Sequence, residues 1–223
     1  MTLVTVGSVT GAPGASTTAL AVVRCRRQPS VLIEADPDGG CLTSWLGVEH
    51  RPGLIDLLAS VHRNQAPEPF DWVYRGDEHS TAKMVVGHPA GEVMSRALRA
   101  GAHDLLRVIE FAALDVLCDV GRYRLDSPAA PLFAAASTRV IVTHGELADL
   151  AVLSQTLVSL RREGAVVVVV TGNSRYRVDE IAEVLEVPTV GVPPVGAPLP
   201  SRRYMRAIEA LTERLWNGAD HER

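Results

Sequence analysis

The chain has 223 residues, of which 47% are hydrophobic and 22% charged, a balance that suits a soluble globular protein with a sizeable core. Its formal net charge of −4 argues against nucleic-acid binding driven by overall charge. No apolar run approaches the length needed to span a membrane.

Aromatic residues make up only 4%, so the core must be built from Val, Leu, Ala and Ile. Lys83 is the single lysine among 22 basic residues. That bias reads as the codon preference of a GC-rich genome, so an arginine in place of a lysine carries little meaning by itself. Cys25, Cys41 and Cys118 are scattered, without metal-ligand spacing, and read as reduced thiols of a cytoplasmic protein. The opening MTLVTVGS has no basic flank and is too short for a signal peptide.

Short β-branched runs alternate with helical patterns. Strands are predicted at 2–8, 30–36, 82–88, 114–121, 138–145, 166–172 and 189–194. Their apolar runs are near-continuous, as expected for parallel strands covered on both faces. Helices are predicted at 16–26, 54–63, 93–112, 148–162, 178–185 and 202–216. This order predicts a doubly wound α/β fold, a mostly parallel sheet with helices on both faces, forming one domain over 1–223. The segment 64–81 is the least regular and reads as an edge hairpin or insertion.

Ligands of such folds sit beyond the carboxyl ends of the strands. The stretches there are VTGAPGAST, EADPDGG, CDVGRY, THGELAD and TGNSR. The first has the makings of a phosphate loop. Gly11 and Gly14 let the backbone wrap closely, and the helix from Ser16 offers its positive end. Ser16 stands where a hydroxyl would ligate Mg²⁺. The strict pattern G-x-x-x-x-G-K-[ST] is not met, because Val9 replaces the first glycine and Ala15 the lysine.

In this frame the stretch resembles the deviant Walker motif K-G-G-x-G-K-[ST]-T of the ParA/MinD family of P-loop ATPases. The family's signature lysine falls at Thr10, its paired glycines at Gly11 and Ala12, its next glycine at Gly14, its P-loop lysine at Ala15 and its hydroxyls at Ser16 and Thr17. The G-A-S-T ending is similar to the CpaE/TadZ branch, which helps place pilus or secretion machinery. Further stretches follow in the family's order. EADPDGGCLTSWLG resembles the switch I segment and the leucine-rich helix after it, with Glu34 and Asp36 on its two acidic positions. LDVLCDVGR resembles switch II, with Asp119 in the Walker B position and Gly121 after it. RVIVTHGELADLAVL is similar to the family's strand ending in a Thr-x-x-E/D step, and VVVVVTGNS to the strand whose asparagine helps read the base, here Asn173. VPTVGVPPVGAP resembles its late proline turn near the adenine.

The resemblance implies ATP and Mg²⁺ as ligands. Gly11, Ala12, Gly14, Ala15, Ser16, Thr17 and Asn173 would line the nucleotide, Ser16 and Asp119 would hold the metal, and Asp36 would orient the attacking water. It also implies a homodimer and protein partners in a larger machine; direct nucleic-acid binding is not expected, on the ground of the net charge. The departures weaken this chemistry. Ala15 and Thr10 carry no ammonium, and Pro13 offers no N–H. A charge-assisted hydrogen bond is worth about 1.5–3 kcal/mol, so without these groups ATP is expected to bind weakly and to be hydrolysed slowly or not at all. The resulting expectation is a degenerate localisation or assembly factor for pilus, secretion or partitioning machinery. The alternative is an active ATPase with a rearranged site, in which an arginine replaces the lysine; Arg122 is the best placed. Its plainer reading is a surface arginine.

Three other readings rank lower. A dinucleotide-binding oxidoreductase needs G-x-G-x-x-G, and GAPGAS lacks that spacing. His50, His62, His79, His88, His103, His144 and His221 show no ligand spacing, and Cys118 reads as a small core residue. The last helix is amphipathic, with Tyr204, Met205, Ile208, Leu211 and Leu215 on one face and Glu209, Glu213 and Glu222 on its polar side. MinD proteins end in a membrane-seeking helix, but core packing is the favoured use of this one.

Overall fold

The computed structural model describes residues 2–12, 14–63, 74–75, 83–111, 114–194 and 201–217. The elements run β1 (Leu3–Ser8), α1 (Ala15–Cys25), β2 (Ser30–Glu34), α2 (Leu42–Leu46), α3 (Leu54–His62), β3 (Tyr74–Arg75), β4 (Lys83–Val85) and α4 (Gly91–Phe111). They continue with β5 (Asp115–Arg122), α5 (Ala130–Ala135), β6 (Thr138–His144), α6 (Leu147–Glu163), β7 (Ala165–Thr171), α7 (Val178–Leu185), β8 (Thr189–Val192) and α8 (Arg202–Asn217). One sheet takes all the described strands in the order β3-β4-β2-β5-β1-β6-β7-β8. Only the short edge strand β3 runs antiparallel to its neighbour; the other described pairings are parallel. This is the expected doubly wound α/β fold. Of the irregular segment 64–81, only the β3 residues lie among those described, and they sit at the sheet edge.

Burial on both faces explains the near-continuous apolar runs. Successive side chains of a strand point to opposite faces. In β7, Val166, Val168 and Val170 pack with Leu153, Leu157 and Ile181 of α6 and α7. Val167 and Val169 pack on the other face with Val22 of α1 and with Ile208 and Leu211 of α8. The same split runs through β2, where Val31 and Ile33 join the first layer and Leu32 the second.

Helix α4 buries Met94, Leu98, Gly101, Ala102, Leu105 and Ile109, a stripe at helical spacing. Gly101 admits α3: a Cβ there would lie 3.0 Å from a Leu58 methyl. Two short helices separate sequence from structure. The six residues of α5 are too few to show a period, and the five of α2 were expected only from the resemblance.

Strands β2 and β4 end earlier than the apolar pattern suggests. After β2 the chain turns at Asp36, whose Oδ1 accepts from Asp38 N at 2.8 Å while its carbonyl accepts from Gly39 N at 3.2 Å. After β4 it bends so that Gly87 N donates to Glu34 Oε2 at 2.8 Å and His88 O accepts from Gly40 N at 2.9 Å. In both places a polar loop at the sheet's carboxyl edge competes with the ladder and prevails.

The amphipathic face of α8 packs into the core. Tyr204, Ile208, Leu211, Leu215 and Trp216 are all buried. Arg26, at the end of α1, stacks over the Trp216 ring at 4.6 Å and pairs with Asp115 at 2.6 Å. No helix among the described residues is long and apolar enough to cross a membrane. Glu222 and the histidines 79 and 221 lie outside the described residues. Truncating Ile208 to alanine is expected to lower the unfolding free energy by about 2–5 kcal/mol, seen as a lower urea midpoint with an unchanged slope.

Candidate functional site

The loop between β1 and α1 is shaped by its glycines. Gly11 has φ 78° and Gly14 φ 111°, both in the region that side chains avoid. Gly14 precedes the first turn of α1, and its carbonyl accepts from Thr18 N at 2.8 Å. Ala12 and Ala15 are buried, whereas Ser16 and Thr17 are half-buried and line the open side of the loop. Pro13, the residue without an N–H, lies outside the described residues.

A cleft of about 400 Å³ opens over this loop. Gly11, Ala12, Gly14, Ala15, Ser16, Thr17 and Asp36 line it together, so the fold gathers most of the predicted positions in one place. Ser8, Asp38, Cys41, Trp45, Gly121 and Arg122 complete the wall. Asn173 is not among them. It lines a neighbouring cavity of about 750 Å³ with Gly172, Pro193, Pro194 and Arg203. A third cavity of about 280 Å³ touches both regions, through Gly14 and Thr17 on one side and Gly172, Pro193 and Pro194 on the other. The predicted phosphate and base positions are thus joined along one edge of the sheet. The rest of the proline turn, 195–200, lies outside the described residues.

Parallel pairing sets the acidic residues side by side. Glu34 of β2 is in register with Asp119 of β5, and Asp119 with Val6 of β1. The two carboxylates are used differently. Glu34 is buried, and its Oε1 accepts from Cys41 N at 2.6 Å and Leu42 N at 2.9 Å. With Gly87 N on Oε2, it fastens α2 and the loop after β4 to the end of β2. An acid on a switch position is therefore committed to backbone donors.

Asp119 is buried at 1% exposure, and its carboxyl is pushed up to about 7. Burial is the main cause; Ser16 and the Gly121 N–H hold it down, while the Asp36 and Glu34 charges raise it. Gly121 N donates to Oδ1 at 3.2 Å, but Oδ2 has no hydrogen-bond partner among the described residues. An unpartnered buried carboxylate oxygen beside a serine hydroxyl fits a divalent cation. With one carboxylate and one hydroxyl as its protein donors, the set suits an ion that keeps most of its shell as water and phosphate, as Mg²⁺ does.

Asp36 lies against Gly121. A Cβ on Gly121 would come within 2.5 Å of Asp36 Oδ2 and closer still to Oδ1. The glycine also has φ 64°, so both the space and the conformation demand it. Burial raises the Asp36 carboxyl, as do Asp38 and Glu34, whereas the Asp38 N–H and Arg122 lower it. Cys41 and Trp45 reach the cleft from the start and middle of the α2 segment and had no signal in the sequence, since neither stands on a motif position.

No family model matches the sequence, and no curated protein matches it. Solved structures do resemble it. The septum site-determining protein MinD complexed with Mg-ADP, from Pyrococcus horikoshii, covers 100% of this chain and 98% of its own at a TM-score of 0.75 and 17% identity. The cell division ATPase MinD of Pyrococcus furiosus covers 97% and 98% at 0.72 and 19%. A ParA family ATPase from Chlorobium tepidum covers 98% and 92% at 0.71 and 17%. The chain has the MinD and ParA fold. At these identities the likeness is one of architecture, spanning nearly the whole of each chain.

Two substitutions test the acids. Glu34→Gln would set an amide NH₂ against a backbone N–H and is expected to cost about 1–3 kcal/mol of stability, measured by urea unfolding. For Asp119 the folded value is raised, so its contribution to stability is complete below the unfolded value near 3.8 and is lost as pH rises through about 7. Asp119→Asn should therefore match the wild type near pH 4 and become progressively more stable than it up to about pH 7, read from melting temperatures across that range.

Proposed function

We propose that this protein is a ParA/MinD-like positioning or assembly factor that binds ATP and Mg²⁺ weakly and hydrolyses ATP slowly or not at all. One observation carries the reading. The cleft keeps the loop backbone, Ser16, Asp36 and the buried Asp119 beneath it, yet Ala15 and Thr10 present no charge where the family motif has lysines. Phosphoryl transfer depends chiefly on positioning and on neutralising charge. A loop that supplies backbone dipoles alone is weaker by about 3–6 kcal/mol than one with two ammonium groups, counting two charge-assisted hydrogen bonds. The neighbouring structures support the ligand class, since one of them holds Mg-ADP.

In this reading Gly11, Ala12, Gly14, Ala15, Ser16 and Thr17 cradle the phosphates. Ser16 and Asp119 hold the metal, Asp36 faces the water, and Asn173 meets the base along the edge that joins the cavities. The working form is a homodimer that engages other proteins, and the G-A-S-T loop favours the CpaE/TadZ branch, with a role in pilus or secretion assembly. Septum-site determination belongs to the Pyrococcus horikoshii protein; what carries over is the idea of a nucleotide-keyed positioning device.

Phosphate release from ATP with Mg²⁺ tests this. The expected rate equals the protein-free background and is the same in Asp36→Ala. A turnover that Asp36→Ala abolishes would establish the active ATPase with a rearranged site instead.

A further inference from the structure

Arg122 ends β5, immediately after Gly121. The turn at Gly121 sends its side chain back over the β1–α1 loop. A Cβ built on Gly11 would lie 3.0 Å from both Nε and Cζ of Arg122, and Nη2 is nearer still. The guanidinium thus rests on the glycine of the loop, in space that opens only because residue 11 has no side chain. It lines the same cleft as Ala15 and Ser16 and is the one cationic side chain among the described residues lining it, which also include the acids Asp36 and Asp38.

Its state of pairing sets it apart from its neighbour. Arg124, two residues on, forms an ion pair with Asp38 at 3.8 Å. The Arg122 guanidinium makes no hydrogen bond or ion pair with the described residues, although its charge is felt at Asp36. A guanidinium carries a planar fork of donors that matches phosphate oxygens two at a time, and it keeps its charge at any physiological pH. Here that fork is uncommitted, at the rim of a loop whose backbone is already wound for an anion.

We propose that Arg122 is the cation that grips the phosphate groups of a nucleoside triphosphate in this cleft, approaching from the end of β5 rather than from the loop. This rests on reading the cleft as a nucleotide site. It changes where the charge comes from. In the family motif the lysine belongs to the rigid junction of loop and helix; here the cation rides on the strand end that also touches Asp36. Phosphate binding and the position of that strand end are then a single event.

Calorimetric titration of the full chain with Mg-ATP, and separately with Mg-tripolyphosphate, tests the assignment. The wild type should bind both. Arg122→Ala should weaken both by about ten-fold or more, Arg122→Lys should fall between, and Arg124→Ala should match the wild type. Because Arg122 is exposed, its variants should melt with the wild type, and Arg122→Lys serves if the alanine variant does not fold. Unchanged affinity in Arg122→Ala would overturn the assignment and leave the nucleotide reading standing. Tighter binding in Arg122→Ala would also overturn it, marking the side chain as an obstruction. No binding of Mg-ATP by the wild type at about 10 mM would overturn both this assignment and the nucleotide reading.

Discussion

Double-sided burial of the central parallel strands is the constraint on which the rest of the molecule depends. Strands β1, β2, β5, β6 and β7 carry apolar side chains to both faces, and helices close each face. Parallel strands cannot be joined by tight hairpins, so each crossover must pass through a helix or loop. Every such crossover leaves from the same edge. That edge therefore collects the polar residues excluded from the layers, and the loops from β1, β2 and β5 meet over one cleft. The site is a by-product of how a valine-rich sheet must be connected, refined by which polar residues occupy the bends.

Those polar residues divide the work. Glu34 commits its oxygens to three backbone donors and holds the framework. Asp119, its register partner, keeps one oxygen without a hydrogen-bond partner among the described residues, in a buried setting. Such an arrangement is unfavourable by itself and makes sense beside a cation. Arg122 brings charge to the cleft from the end of the same strand. On that assignment the cleft keeps a positive side without its lysines, shifted from the loop to a strand end.

The fold was legible because the sequence signal was physical and repeated. Runs such as 166–170 leave no choice but burial on both faces, and Gly11 and Gly14 mark bends that few other residues tolerate. Much of the cleft was legible as well, since strand ends in such sheets converge whatever the side chains. Other features were not. A carboxylate at a strand end reads the same whether it faces a ligand or a row of N–H groups, so the commitment of Glu34 was hidden. The reach of Arg122 depends on the left-handed turn at Gly121 and on the bare backbone at Gly11, two facts far apart in the chain. Cys41 and Trp45 enter through α2 and the residue before it, a segment too short to show a pattern of its own.

The fit of Asp36 against Gly121 has a mechanical meaning. The acid occupies the volume that any side chain at position 121 would claim, so the bends after β2 and β5 mesh like a tooth in a notch. Neither can slide without pushing the other. A pull on the guanidinium next door to the notch would reach the acid through hard contact as well as through charge, a stiff linkage where a pair of separate hinges would dissipate the motion.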